Sequence, residues 1–221
     1  MIKGNVQLTE RHLLRHRQQP EVLPDYLAEG ALLQVINQQV DRVNTLLSNL
    51  LDVSRIQTEK MEIYPMPCDL VHLVRQAVFS YSTRANEREI RLGLPESLVI
   101  PVNVDALKIE QVIIHYLTNA SQYSSADTPI DIQHTDTLAY CFVRDSGVGI
   151  ESQQLEHIWD CFSRGAGAHK YGGYGSGLGV GLYISKTLIE QHHGQVGMQS
   201  KPGEGSTAWF TLPVDQNYAS T

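Results

Sequence analysis

Apolar residues fall at Leu33, Ile36, Val40, Val43, Leu47 and Leu50, steps that alternate three and four. That spacing is a coiled-coil seam, and Gln38, Gln39, Asp41 and Arg42 give the same segment a polar back. The pattern predicts one long helix over residues 25–58. A shorter helix is predicted over 2–18, with Pro20 and Pro24 breaking the chain between them. Two helices joined by a short loop form an antiparallel hairpin. Alone it would leave its seam in water, so a second copy is expected to complete a four-helix bundle.

Beyond residue 60 the period changes. Short stretches at 61–65, 88–94, 98–102, 130–134, 138–144, 195–200 and 207–212 read as strands, and helical patterns at 69–86, 105–123 and 180–193 alternate with them. Asp105 stands where its carboxylate can cap the second of these helices. Thr135-Asp136-Thr137 closes one hairpin and Lys201-Pro202-Gly203-Glu204-Gly205 another. The expected fold class is α+β: a helical hairpin over 1–60, half of a dimeric four-helix bundle, then an α/β sandwich over 61–215. The sandwich is expected to hold one mixed sheet with helices on one face.

Composition narrows the function more than the fold. Hydrophobic residues at 42% and charged residues at 19% of 221 allow a packed core. A net charge of −7 argues against a nucleic-acid binder, which carries a basic stripe. No run approaches the roughly 20 apolar residues of a membrane span, and Met1-Ile2-Lys3-Gly4-Asn5 opens no signal peptide. Cys68, Cys141 and Cys161 are odd in number and widely spaced, which suits reduced thiols. The expectation is a cytoplasmic chain whose membrane contact, if any, lies in other parts of a longer parent.

Candidate chemistry sits on two loops and one helix. Asp145-Ser146-Gly147-Val148-Gly149-Ile150 comes after a strand and puts a carboxylate ahead of two glycines. A carboxylate there can accept from an amino group, and glycine lets a ligand come close. An ordinary turn after a strand would use the same residues. Gly175-Ser176-Gly177-Leu178-Gly179-Val180-Gly181-Leu182 runs straight into a helix, where backbone N–H groups and the helix dipole suit phosphate. It has neither the dinucleotide spacing nor the Lys-Ser/Thr of a P-loop. The helix ahead of these loops carries Glu110, His115, Asn119, Gln122 and Tyr123, with His115 and Asn119 one turn apart on one face.

Taken in order, four segments resemble the asparagine, first glycine, phenylalanine and second glycine boxes of sensor histidine kinases. They are the stretch from His115 to Ser124, the Asp145–Ile150 loop, Trp159-Asp160-Cys161-Phe162-Ser163-Arg164 and the loop from Gly175 to Leu182. The ATP-binding fold of that family is shared with gyrase, Hsp90 and MutL. Gly203-Glu204-Gly205-Ser206-Thr207 is similar to the family's closing glycine motif, and the stretch from Leu46 to Ile56 to the end of its dimerisation hairpin.

The resemblance implies ATP and Mg²⁺ as ligands. Asn119 would hold the metal, and Asp145 would read the adenine amine, with Gly147, Gly149 and Ile150 around the base. Gln122 and Tyr123 would pack nearby, and Thr207 would lie on the sheet beneath the base. Gly175, Ser176, Gly177, Leu178, Gly179, Val180, Gly181 and Leu182 would wrap the phosphates. Residues 151–174 would form a lid, with Arg164 on the terminal phosphate. The implied partners are a second copy of the chain and a response-regulator receiver domain.

Three positions depart from the family: Gln122 stands for a frequent Lys, His115 for a frequent Asn, and Cys161 for a basic residue. His115 also occupies the place of the water-activating Glu of the hydrolysing relatives, so slow ATP hydrolysis is expected, with His115 as a candidate base. No His-[Glu/Asp]-x-[Arg/Lys]-x-Pro acceptor motif occurs. Residues 1–8 resemble the stretch just downstream of that motif, so the chain is expected to start after the acceptor histidine. His12 and His16 read as surface residues. The alternatives are a degenerate nucleotide-binding dimerisation module and an ATP-hydrolysing clamp.

Overall fold

The computed structural model describes residues 25–84, 90–95, 97–124, 128–134, 138–163 and 178–216. The helix expected over 2–18 lies outside them. The chain divides into two compact units, one ending at Ser48 and the other beginning at Asn49.

Helix α1 runs Asp25–Gln57. Its seam residues Leu33, Ile36, Val40, Val43, Leu47 and Leu50 are 44–60% exposed. The helix stops in a Schellman turn: Lys60 N donates to the Arg55 carbonyl at 2.8 Å, and Glu59 N to that of Ile56 at 3.0 Å. Glu59 takes the left-handed conformation usually given to glycine, at φ 56°.

The second unit has the expected alternation with two differences. Residues 61–65 are not a strand. Their polar groups go to side chains instead: Tyr64 N donates to Asp105 Oδ2 at 3.1 Å, and the Met61 carbonyl accepts from Gln191 Nε2 at 3.4 Å. The strand is β1, Met66–Asp69, and it pairs antiparallel with β3, Pro101–Val104. The second difference is that these two strands form a ribbon of their own rather than joining one sheet. A bridge from Val102 to Val214 ties the ribbon to the rest. The main sheet has the order β2 (Ile90–Leu92), β4 (Thr128–His134), β5 (Leu138–Asp145), β7 (Gly205–Pro213), β6 (Val196–Lys201). Among the described strands only β2 and β4 pair in parallel.

Helices cover one face of this sheet. Helix α2, Leu70–Arg84, buries Leu70, Val71, Leu73, Val74, Ala77 and Val78. Asp69 caps it, accepting from Val71 N at 3.0 Å. Helix α3, Ala106–Tyr123, buries Ile109, Val112, Ile113, Tyr116, Leu117 and Ala120. A short α4, Ser152–Leu155, precedes α5, Gly181–Gln191. Against them β5 turns Ala139, Cys141, Val143 and Asp145 inward, the alternation of a half-buried strand. Among the described residues no helix is long and apolar enough to cross a membrane.

Asp105 is a junction. Its carboxylate caps α3 through Lys108 N at 3.2 Å and holds Tyr64 N, while its own N–H donates to His192 Nε2 at 2.9 Å. The other ring nitrogen of His192, Nδ1, lies 2.7 Å from the Leu188 carbonyl and must donate to it. The buried ring is therefore one fixed neutral tautomer, and burial pushes its pKa down, opposed in part by Leu188 and Asp105. Protonation would put a hydrogen on the nitrogen that Asp105 N–H needs.

His192→Phe is expected to lose about 1–3 kcal/mol of stability in urea denaturation, because the buried Asp105 N–H loses its acceptor. The unfolded chain binds His192's proton near its ordinary 6.5 and the folded chain resists it, so wild-type stability should fall as pH drops below that value. The same titration on His192→Phe should be flatter.

Candidate functional site

The end of β5 delivers Asp145, a buried carboxylate whose Oδ1 accepts from Gly147 N at 2.8 Å. That bond folds the adjoining loop back onto the last turn of α3, where Val148 N reaches the Tyr123 carbonyl at 3.4 Å. A Cβ at Gly147 would lie 2.1 Å from the same carbonyl oxygen. On its other side the loop meets the turn between β6 and β7. Gly203 N donates to the Val148 carbonyl at 2.8 Å, and a Cβ at Gly149, φ 69°, would fall 2.1 Å from the Lys201 carbonyl. Ile150 N donates to Ser200 Oγ at 2.8 Å, and Ser200 passes its own proton to the Gly205 carbonyl at 2.9 Å. Ser206 Oγ, 2.8 Å from Ser200 Oγ, is left as the donor of that pair.

Register decides which residues of the closing motif stand with Asp145. Ser206 pairs with Asp145 and Thr207 with Arg144, so Ser206 shares the face of the carboxylate. Thr207 points to the opposite face, where its hydroxyl meets Arg144 Nε at 3.4 Å. Thr207 thus lies on the sheet as expected of its position in the chain, but on the face away from the carboxylate, and the cause is the two-residue period of a strand. Asp145 and Thr207 nevertheless both border a cleft of about 380 Å³ beside the β6–β7 turn.

Asn119, Gln122 and Tyr123 stand partly exposed on the last turns of α3, and the Tyr123 carbonyl is the one that meets this loop. Asn119 offers a carboxamide oxygen of the kind that suits Mg²⁺. Of the glycine-rich segment, Leu178 to Leu182 are described, and Gly175, Ser176 and Gly177 lie outside the described residues, as does Arg164. Gly179 has φ 72°, and a Cβ there would sit 2.3 Å from the Ser163 carbonyl, so the chain on either side of residues 164–177 comes together at Ser163 and Gly179. Val180 is buried and leads into α5. Burial raises the pKa of the Cys161 thiol, which leaves no charge at a position where the resemblance led one to expect a cation.

His115 is turned onto α5. Its Nδ1 lies 3.2 Å from Ser185 Oγ, which in turn donates to the Gly181 carbonyl at 2.8 Å. Burial pulls its pKa down to about 4, against the opposing influence of Asp52 and the Gly181 carbonyl. Asp52, from the end of α1, is itself buried between Lys108 Nζ at 3.6 Å and Gln111 Nε2 at 2.7 Å. Sequence reasoning missed Ser185 and Ser200, and placed Ser206 within the closing motif without giving it a role. For Ser185 a signal existed, because it lies one turn after Gly181 on the helix that succeeds the loop. For the other two, only the strand register reveals them.

A family model described as "Histidine kinase-, DNA gyrase B-, and HSP90-like ATPase" matches residues 104–216. The alginate biosynthesis sensor protein KinB of Pseudomonas aeruginosa is 32% identical over 189 residues, 84% of this chain and 31% of that protein. The sensor histidine kinase GacS of Pseudomonas protegens is 27% identical over 212 residues, 91% of this chain and 22% of that protein. The chain thus spans a third or less of the length of these relatives. Full-length ShkA, solved in complex with AMPPNP, shares the fold with a TM-score of 0.66 at 23% identity, over 86% of this chain and 39% of that one.

Two kinds of glycine are separable by mutation. Gly147→Ala and Gly205→Ala force a Cβ within 2.1 Å of backbone oxygens and should each lower the urea midpoint well below that of the wild type. Gly203→Ala, with open space around it, should cost only the left-handed penalty of about 1–2 kcal/mol.

Proposed function

The chain belongs to the family of histidine kinase-, DNA gyrase B- and HSP90-like ATPases, and from that premise we propose that it is the catalytic region of a sensor histidine kinase, in which residues 61–215 bind Mg-ATP and pass its γ-phosphoryl group to a histidine. One observation carries the reading: the loop from Asp145 to Ile150 is fixed by missing Cβ atoms between α3 and the β6–β7 turn, with the carboxylate held at its start. The AMPPNP complex of ShkA supports a nucleotide as the ligand.

In this reading Asp145 accepts from the exocyclic amine of adenine, Gly147 and Gly149 leave the base room, and Tyr123 and Ile150 flank it. Ser206 takes the place on the carboxylate's face that Thr207 does not reach. Backbone N–H groups of the glycine-rich segment ending at Leu182, with the start of α5, would meet the phosphates. Arg164 would meet the terminal one. Among the described residues no three His, Cys, Asp or Glu cluster as a metal cage. One carboxamide, Asn119, together with phosphate oxygens is a donor set that Mg²⁺ accepts. The ion would neutralise phosphate charge. In the transfer the β–γ P–O bond breaks, a P–N bond to the acceptor imidazole forms and ADP leaves, a reaction that needs positioning more than covalent help. At a pKa of about 4, His115 is a poor base near neutral pH, which supports slow hydrolysis by water.

The same reading assigns the chain to the cytoplasm, with a response-regulator receiver domain downstream and a second copy over the α1 seam. The exposed seam supports dimerisation. A second reading, a nucleotide-binding dimerisation module without phosphotransfer, draws on Gln122 in place of a cationic side chain. Binding of ATP with no transfer to an acceptor histidine hairpin of the same kinase would select it.

Calorimetric titration with an ATP analogue should give saturable binding that weakens without Mg²⁺. Asp145→Asn should weaken it about 10-fold or more, the loss of a charge-assisted hydrogen bond. No binding at millimolar nucleotide would overturn the proposal. By sedimentation the wild type should be a dimer at micromolar concentration, and Leu47→Glu a monomer.

A further inference from the structure

His115 and Ser185 are not explained by nucleotide contacts. They form a two-link tie between helices: His115 on α3 meets Ser185 on α5, and Ser185 meets Gly181, the residue that ends the glycine-rich segment and begins α5. Ser185 is fully buried, and the imidazole lies close to Gly181, where an added Cβ would stand 3.5 Å from the ring. A proton count fixes the tie. A serine hydroxyl has one hydrogen, and here it goes to the Gly181 carbonyl at 2.8 Å. Toward His115 the oxygen can only accept, so the ring must carry its hydrogen on Nδ1 and leave Nε2 bare.

We infer that His115 is a positioning residue: as the Nδ1–H tautomer it fastens the start of α5, where the phosphate-facing segment ends, to the helix that carries Asn119. This rests on the nucleotide reading of the site. The consequence is that the metal-holding carboxamide and the anchored end of the glycine segment keep a fixed spacing. They are one helical turn from His115 on α3 and one turn from Ser185 on α5, respectively. A group acting this way affects the phosphate end of the ligand and leaves the adenine end alone. Its ring chemistry is also specific. An asparagine amide nitrogen stands where Nδ1 stands, whereas a glutamine amide reaches the place of Nε2. Asparagine should therefore replace His115, and glutamine should not.

The test has two independent arms. In the first, long-range ¹H–¹⁵N spectra of the histidine-labelled protein without nucleotide should show His115 protonated on Nδ1 and bare on Nε2 at pH 7. A signal from the Nε2–H form overturns the inference whatever the nucleotide result. In the second, calorimetry compares adenosine with an ATP analogue. Ser185→Ala and His115→Gln should weaken the ATP analogue about fivefold, the worth of one neutral hydrogen bond, and leave adenosine unchanged. His115→Asn should bind both as the wild type does. Equal losses for adenosine and the ATP analogue would reduce the pair to a structural contact and overturn the inference, as would His115→Gln matching His115→Asn. Wild-type protein that binds neither ligand overturns the nucleotide reading itself, and with it the role assigned to His115.

Discussion

Everything at the candidate site depends on backbone touching backbone where no side chain can intervene. At Gly147 the loop after β5 meets the final carbonyl of α3, at Gly149 it meets Lys201, and at Gly205 the closing turn meets Asp145. Each approach is closer than a methyl group allows. Helix, loop and turn are therefore fixed to one another with little freedom to drift, and the buried carboxylate of Asp145 starts from a backbone held at a set place. Helix α3 is the common element. Its C-terminal end abuts the loop, its middle is tied to α5 through His115, and its first turn is joined to the linker and to α5 through Asp105.

The end of α1 enters this arrangement through charge rather than apolar packing alone. Asp52 is buried, and a buried carboxylate persists only where its partners are well placed. Lys108 and Gln111 supply them, both from α3. The C-terminal part of the long helix is thus anchored to the same helix that borders the candidate nucleotide pocket. The polar bonds of Tyr64 and Met61 extend the anchorage along the linker.

Much of this was legible from residue order. The α1 seam, the capping role of Asp105 and the period of α3 come from local patterns. The structure bears out the α+β class, with helices packed on one face of the main sheet. What stayed hidden depended on partners distant in sequence. Residues 61–65 alternate like a strand, yet Asp105 and Gln191 take their polar groups, and nothing in the local pattern names those partners. The ribbon of β1 and β3 resembles any other pair of strands until its neighbours are known. Thr207 and Ser206 are adjacent and chemically alike. Only the pairing of β5 with β7 tells which one shares the carboxylate's face. The tie from His115 to Ser185 crosses 70 residues, and its direction rests on a count of hydroxyl protons that a motif does not contain.

The meeting of Ser163 and Gly179 bears on how such a domain can diversify. When the two ends of an intervening stretch are clamped together by the fold, the entropy of closing it grows only with the logarithm of its length, roughly 0.6 kcal/mol for each doubling. An insertion between those two ends would therefore add little thermodynamic penalty to the sheet and helices on either side. The fixed part of the design is the clamp at Ser163 and Gly179, which sets where the two flanking segments meet.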